Sequence, residues 1–172
     1  MELTIRPVEV EDSKDINEIR RMKGVMENML AISSERLDRT KRHTESLDLN
    51  THIFVAELKE SENKKVVGIV SLNVNSSPRL RHSGSLGISV HAEYQSMGIG
   101  RKLMEEILDL ADNWLMLTRI ELGVYPDNNK AINMYEKFGF KKEGIKKYAA
   151  IKNGIYVDEI IMGRYNEKII KN

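Results

Sequence analysis

The chain has no cysteine in 172 residues. That excludes a disulfide framework, a thiolate zinc site and a cysteine nucleophile. It also has almost no net charge, with Lys+Arg 27 against Asp+Glu 26 and a balance of +1. A dominant electrostatic attraction to nucleic acid or to an anionic membrane surface is therefore not expected. No stretch approaches the roughly 18 consecutive apolar residues of a membrane-spanning helix. Residues 1–15 lack the basic stretch followed by an apolar one that marks a signal peptide. Repeats, low-complexity tracts and linkers are missing too. What remains has the length of one domain, with 41% hydrophobic residues to build a core. A cytoplasmic location is the expectation.

The apolar pattern divides the chain into alternating elements. Leu3, Ile5 and Pro7-Val8 read as a first strand. Glu11-Asp12-Ser13 places carboxylates and a cap before a helix near 13–22, where acids suit the positive end of the helix dipole. Residues 24–34 read as a connector. A second, polar helix is expected near 34–48, capped by Ser34 and lying on the surface. Strands follow at 52–58 and 66–74, joined by the charged loop ELKESENKK, and then at 84–90. A long amphipathic helix over 98–117 carries Leu103, Met104, Ile107, Leu108, Ala111, Trp114 and Leu115 on one face. Residues 119–124 read as a strand and 128–138 as a helix. From Phe140 two more strands meet at Asn153-Gly154. Antiparallel strands followed by one strand–helix–strand crossover imply an α/β domain with a mixed sheet, a single domain over 1–172.

The most informative segment runs from Gly87 to Leu103. A strand enters a short turn, and the turn enters a helix that opens on Gly98 and Gly100. The first amides of a helix lack internal partners and, with the dipole, attract anions. The glycines let a bulky anion approach the backbone, and a pyrophosphate fits that description. Glycines used for geometry alone are the plainer reading of this pattern. Leu103 stands where a dinucleotide fingerprint needs a third glycine, and a P-loop is excluded by the missing G-K-[ST]. In the second segment, Asn128, Ala131 and Tyr135 share a helix face, and Gly139 stops the helix with Phe140 packing behind it. Read by itself, Tyr135 is a core aromatic with a wet hydroxyl.

Together the two segments resemble a known family. Gln95, Gly98 and Gly100 fit the Q/R-x-x-G-x-G/A of motif A in the GNAT superfamily of N-acetyltransferases. Asn128, Ala131, Tyr135, Gly139 and Phe140 fit the N-x-x-A-x-x-x-Y-x-x-x-G-F of its motif B. The resemblance implies a single-domain GNAT-like α/β fold with a mostly antiparallel mixed sheet, a splayed parallel strand pair and flanking helices. It implies acetyl-CoA as cosubstrate. Ile88, Ser89 and Val90 would pair with the pantetheine arm. Gln95, Ser96, Met97, Gly98, Ile99, Gly100 and Arg101 would surround the pyrophosphate, and Asn128 would bond the arm from the other side. Tyr135 would assist the leaving thiolate.

Residues 147–158, with Asp112–Leu115 and Arg119–Leu122, also resemble a bacterial branch that acetylates the α-amino group of free L-amino acids. The implied reaction is direct attack of a neutral amine on the thioester, in keeping with the absence of cysteine. At pH 7 an α-amine of pKa about 7.8 is neutral in about one molecule in seven, a lysine in about one in 2,500. Only the lysine type demands a strong base. The candidates are Glu121, then Glu27, His52 and His82. The expected partner is a small-molecule amine, with no nucleic acid or membrane, and a homodimer is left open. Alternatives that keep the same cofactor are acetylation of protein N-termini or lysines, acetylation of polyamines, and a CoA-binding regulator without catalysis.

Overall fold

The computed structural model describes residues 2–170. In chain order the elements are β1 (Glu2–Pro7), α1 (Ser13–Arg21), α2 (Leu37–Glu45), β2 (Thr51–Glu60), β3 (Asn63–Val74), β4 (Ser83–Val90), α3 (Ile99–Asp109), β5 (Arg119–Val124), α4 (Asn129–Lys137), β6 (Lys141–Lys152) and β7 (Ile155–Tyr165). The strands form a seven-stranded sheet in the order β1-β2-β3-β4-β5-β7-β6. The chain divides into two compact units, Met1–Leu72 with Gly87–Asp109, and Asn73–Leu86 with Leu110–Asn172.

In the first unit β1 runs antiparallel to β2. Arg6 clasps Asp12 at 2.8 Å and Glu57 at 2.7 Å, tying both strands to the start of α1. The Asp12 carboxylate also accepts the Glu9 amide at 2.8 Å. The inner side of α1, Ile16 and Ile19, joins Val25, Val55 and Val66 in a core lined by Met22, Met29 and Ile69. Asn17 bonds Thr40 at 3.0 Å and the Glu35 carbonyl at 3.2 Å, which fixes α2 against α1. α2 is shorter than expected, and Arg36 rather than Ser34 precedes it. β2 and β3 continue well into the expected charged loop and leave only Ser61-Glu62 as the turn, with Ser61 at φ 54°. The charges fail to break the strands because they pair across them, as Lys64 does with Glu57 at 3.2 Å.

α3 buries Leu103, Met104 and Ile107 completely, each removal from water stabilising by about 2 kcal/mol. It sits close to β3 at Gly68. A Cβ there would lie 2.9 Å from Leu103 Cδ1 and 3.1 Å from Ile99 Cγ2.

In the second unit β4 runs parallel to β5, pairing Ser83–Ser85 with Arg119–Glu121. β7 is antiparallel to both β5 and β6. Ile120, Leu122, Val124, Ile132, Phe140, Ile160 and Met162 are buried here. The expected long helix changes pitch where this unit begins. Residues Leu110–Trp114 form one wide π turn, with the Leu115 amide reaching back to the Leu110 carbonyl at 3.0 Å. The wider turn swings Trp114 out to 75% exposure, so the expected apolar face ends at Ala111. Asp112 instead grips Arg164 through two bonds, 2.8 and 2.6 Å. Arg164 in turn donates to the Phe138 carbonyl at 3.0 Å, closing the end of α4.

Candidate active site

In the first unit, residues 88–101 lie along the end of β4, a short turn and the start of α3. Ile88, Ser89 and Val90 are half-buried, whereas Ser96, Met97 and Gly98 are exposed. The first intrahelical bond runs from the Lys102 amide to the Gly98 carbonyl at 3.1 Å. The amides of Gly98, Ile99, Gly100 and Arg101 therefore precede it and, by helix geometry, form the donor set of an anion site. Gly98 has φ 80° and Ser96 has φ 67°. Such left-handed residues turn successive amides into a concavity that suits an anion, and at Ser96 the conformation carries strain of about 1 kcal/mol. Gln95 braces the turn, its Nε2 donating to the Val90 carbonyl at 3.1 Å. Arg101 lies along the helix and bonds Glu105 at 2.8 Å.

Behind the turn sits His91, 1% exposed. Its amide donates to the Val67 carbonyl at 2.9 Å, fastening the end of β4 to β3. Nδ1 accepts the Glu93 amide at 3.4 Å, which puts the ring proton on Nε2. Nε2 faces the Glu18 carboxylate at 3.4 Å, a long contact. Lys65 bonds the same carboxylate at 2.9 Å and holds its pKa below the ordinary value, with His91 helping. On the other side of β4, the Ser89 hydroxyl donates to the Met29 thioether at 3.4 Å. This contact joins the α1–α2 connector to the strand expected to carry the acetyl group.

In the second unit, Asn128 caps α4, its Oδ1 accepting the Ala131 amide at 3.3 Å. Tyr135 is 7% exposed and tilted against Phe140 at 5.8 Å between ring centroids. Burial pushes its phenol up to about 12, so it is protonated throughout the neutral range. Glu121 lies on the exposed side of β5 and bonds Arg119 at 3.1 Å. Arg119 also takes Glu143 at 2.6 Å and stacks beneath the Tyr165 ring at 5.5 Å.

The other candidate bases have local uses. Glu27 accepts the Gly24 amide at 2.6 Å. The backbone carbonyl of the exposed His82 accepts the Thr118 amide at 2.9 Å, and His52 is half-buried in β2. The sequence gives no sign of the parts played by His91, Glu18 and Gly68. Their residue types are ordinary surface or strand choices, and only the packing distinguishes them.

Residues 22–140 match the acetyltransferase (GNAT) family. The chain is 34% identical over 163 residues to the L-amino acid N-acetyltransferase AaaT of Escherichia coli (strain K12), covering 95% of this chain and 98% of that one. It is 30% identical to the spermidine N(1)-acetyltransferase of Vibrio cholerae, covering 91% and 89%. The crystal structure of the Vibrio cholerae spermidine N-acetyltransferase in complex with CoA and spermine has a TM-score of 0.84 at 27% identity, with 98% of each chain covered. The chain belongs to the acetyltransferase (GNAT) family. It is an acetyl-CoA-dependent N-acetyltransferase with the mixed α/β fold and parallel β4–β5 pair that the motifs implied. Among the described residues no helix is long and apolar enough to cross a membrane.

Proposed function

We propose that the chain, acting as one domain over 1–172, acetylates the α-amino group of a small apolar L-amino acid. The observation that carries this is the state of the candidate bases. Glu121 is engaged by Arg119 and Glu27 by the Gly24 amide. The carboxylates with shifted pKa values, such as Glu18, Glu35 and Glu57, are held down by cations rather than raised toward neutrality. An acceptor that reaches its neutral form with little help suits such a site. The carboxylate of a free amino acid raises its amine's pKa, yet that amine still loses its proton more readily than a lysine does. Similarity to an L-amino acid N-acetyltransferase points the same way. So do the half-buried Met22 and Met29 in the connector, since thioethers adapt to varied apolar side chains.

Acetyl-CoA supplies the activated acetyl group. The amides of 98–101 hold its pyrophosphate, and the backbone of Ile88, Ser89 and Val90 aligns its arm with help from Asn128. A backbone amide of Ser89 or Val90 polarises the carbonyl, and Tyr135 donates a hydrogen bond to the sulfur. Full proton transfer from a phenol of pKa about 12 to a thiolate near 8.5 is uphill by about 5 kcal/mol. The role of Tyr135 is therefore hydrogen bonding.

The test is a panel of amines assayed for CoA release: free L-amino acids, spermidine, and peptides with open N-termini or lysines. Apolar L-amino acids should give the highest kcat/KM. Turnover of spermidine or peptides with none on any free amino acid would overturn the acceptor assignment and leave the family intact.

A further inference from the structure

β7 extends beyond the sheet that supports it. Its last partner on β5 is Ile160, opposite Val124, so residues 155–159 run past the end of β5 and pair only with β6. A two-stranded ribbon is marginal in water without cover. Along one side of β7, Met162, Ile160 and Tyr156 are 0%, 8% and 70% exposed. The side that is core in the middle of the strand is bare at its end. Ile151, directly opposite Tyr156, is 71% exposed, and Tyr148, edge-on to Tyr156 at 6.4 Å, is 76% exposed. Ile145 and Ile155 add 59% and 65%. At those exposures five side chains leave roughly 600 Å² open, taking about 200 Å² for each tyrosine and a little less for each isoleucine. Monomers rarely bare that much apolar surface in one place, and one partner of a stable interface covers about 800 Å².

The end of the ribbon is also rigidly presented. Asn153 and Gly154 close it with φ 51° and 79°. Tyr148, itself at φ 52°, has its amide held by Asp158 at 3.0 Å.

We infer that this patch binds the same patch on a second copy of the chain. Charge decides between occupants. Lys146 pairs with Glu159 at 3.2 Å, Lys147 with Asp158 at 2.8 Å and Lys152 with Asp127 at 2.7 Å. The patch thus offers little uncompensated cation to phosphate, and two copies do not repel. Irregularities in β6 between Lys142 and Gly144 and between Lys146 and Ala150 prevent the sheet from extending edge to edge. The contact is therefore made by side chains, face to face about a twofold axis.

Sedimentation from submicromolar to high-micromolar concentration tests this. The wild-type chain should pass from 19.8 kDa to twice that mass. Hydroxyl-radical footprinting should show Tyr148 and Tyr156 becoming protected over the same range. Ile151→Thr with Tyr156→Ser should raise the dissociation constant more than tenfold. If that variant fails to fold, the wild-type footprint alone decides. Two results would overturn the inference. One is a single-chain mass throughout, including a monomer that pellets with phosphatidylserine vesicles. The other is a dimer whose two tyrosines stay as reactive as in the monomer.

Discussion

Gly68→Ala probes how the anion site is held. The added Cβ would lie 2.9 Å from Leu103 Cδ1, 3.1 Å from Ile99 Cγ2 and 3.5 Å from Ala56 Cβ. The last is ordinary contact; the first two are not. Leu103 could yield by rotating, but it is completely buried, and Ile99 is β-branched and 3% exposed, so neither has room. Overpacking of this kind costs about 1–3 kcal/mol. Alanine recovers about 0.5–1 kcal/mol of that by restricting the unfolded chain. The net loss is about 1–2 kcal/mol, a drop in Tm of roughly 3–6 °C at this chain length. Ile99 and Leu103 lie in the first turns of α3, so relief by moving the helix also moves the amides of 98–101. The KM for acetyl-CoA should therefore rise several-fold while kcat at saturation changes less, which thermal melts, calorimetry and steady-state rates would separate. Adding Leu103→Ala should cost less in the Gly68→Ala background than in the wild type. A variant that melts at or above the wild type, or strict additivity with Leu103→Ala, would refute the clash.

Three further outcomes are expected. Tyr135→Phe should lower kcat by about 10–100-fold with little change in acetyl-CoA affinity, because the lost hydrogen bond matters mainly to the departing sulfur; an unchanged kcat with chemistry rate-limiting would remove Tyr135 from the reaction. Ser96→Gly should hold or raise Tm by relieving the φ of 67°, while Gly98→Ala should lose about 1 kcal/mol and weaken acetyl-CoA binding, both read by melts with and without cofactor. Arg119, assisted by Tyr165, depresses Glu143 to about 2, so its stabilisation is present above the unfolded carboxylate value of about 4.3 and is lost as pH falls from there toward 2. Urea midpoints of Glu143→Gln should be lower than wild type at pH 7 and converge with it across that acid range.

The sequence carried the elements whose ends are marked by local chemistry. β5 was legible to the residue because apolar and polar positions alternate through it, and α4 because Asn128 caps it and Gly139, at φ 86°, stops it. The Asn153-Gly154 turn announced its hairpin in the same way. Features that depend on pairing between distant segments were hidden. The ELKESENKK run reads as a loop until Glu57 meets Lys64 across the hairpin. Ser34 looks like a cap, yet α2 begins later because Asn17 and Arg20 fix Glu35 at the end of the connector. The anion turn was legible through Gly98 and Gly100, whereas the bracing of Gln95 on Val90 and the burial of His91 required coordinates. Tyr135 was recognisable by its place in a motif, but its elevated pKa follows from packing against Phe140, which spacing alone only suggests.

The π turn at Leu110–Trp114 has a consequence for how this chain tolerates changes of length. A wide turn is an α-helical turn holding one more residue, so the register of everything beyond it is set by that extra residue. Removing a single position there would restore ordinary pitch and rotate the following segment by about 100°. Asp112 would then leave Arg164, and Arg164 would lose its hold on the Phe138 carbonyl at the end of the helix that bears Tyr135. An insertion elsewhere on the surface lengthens a loop, but a one-residue deletion here changes helical phase. The segment is thus closed to shortening despite its exposed Trp114 and Met116.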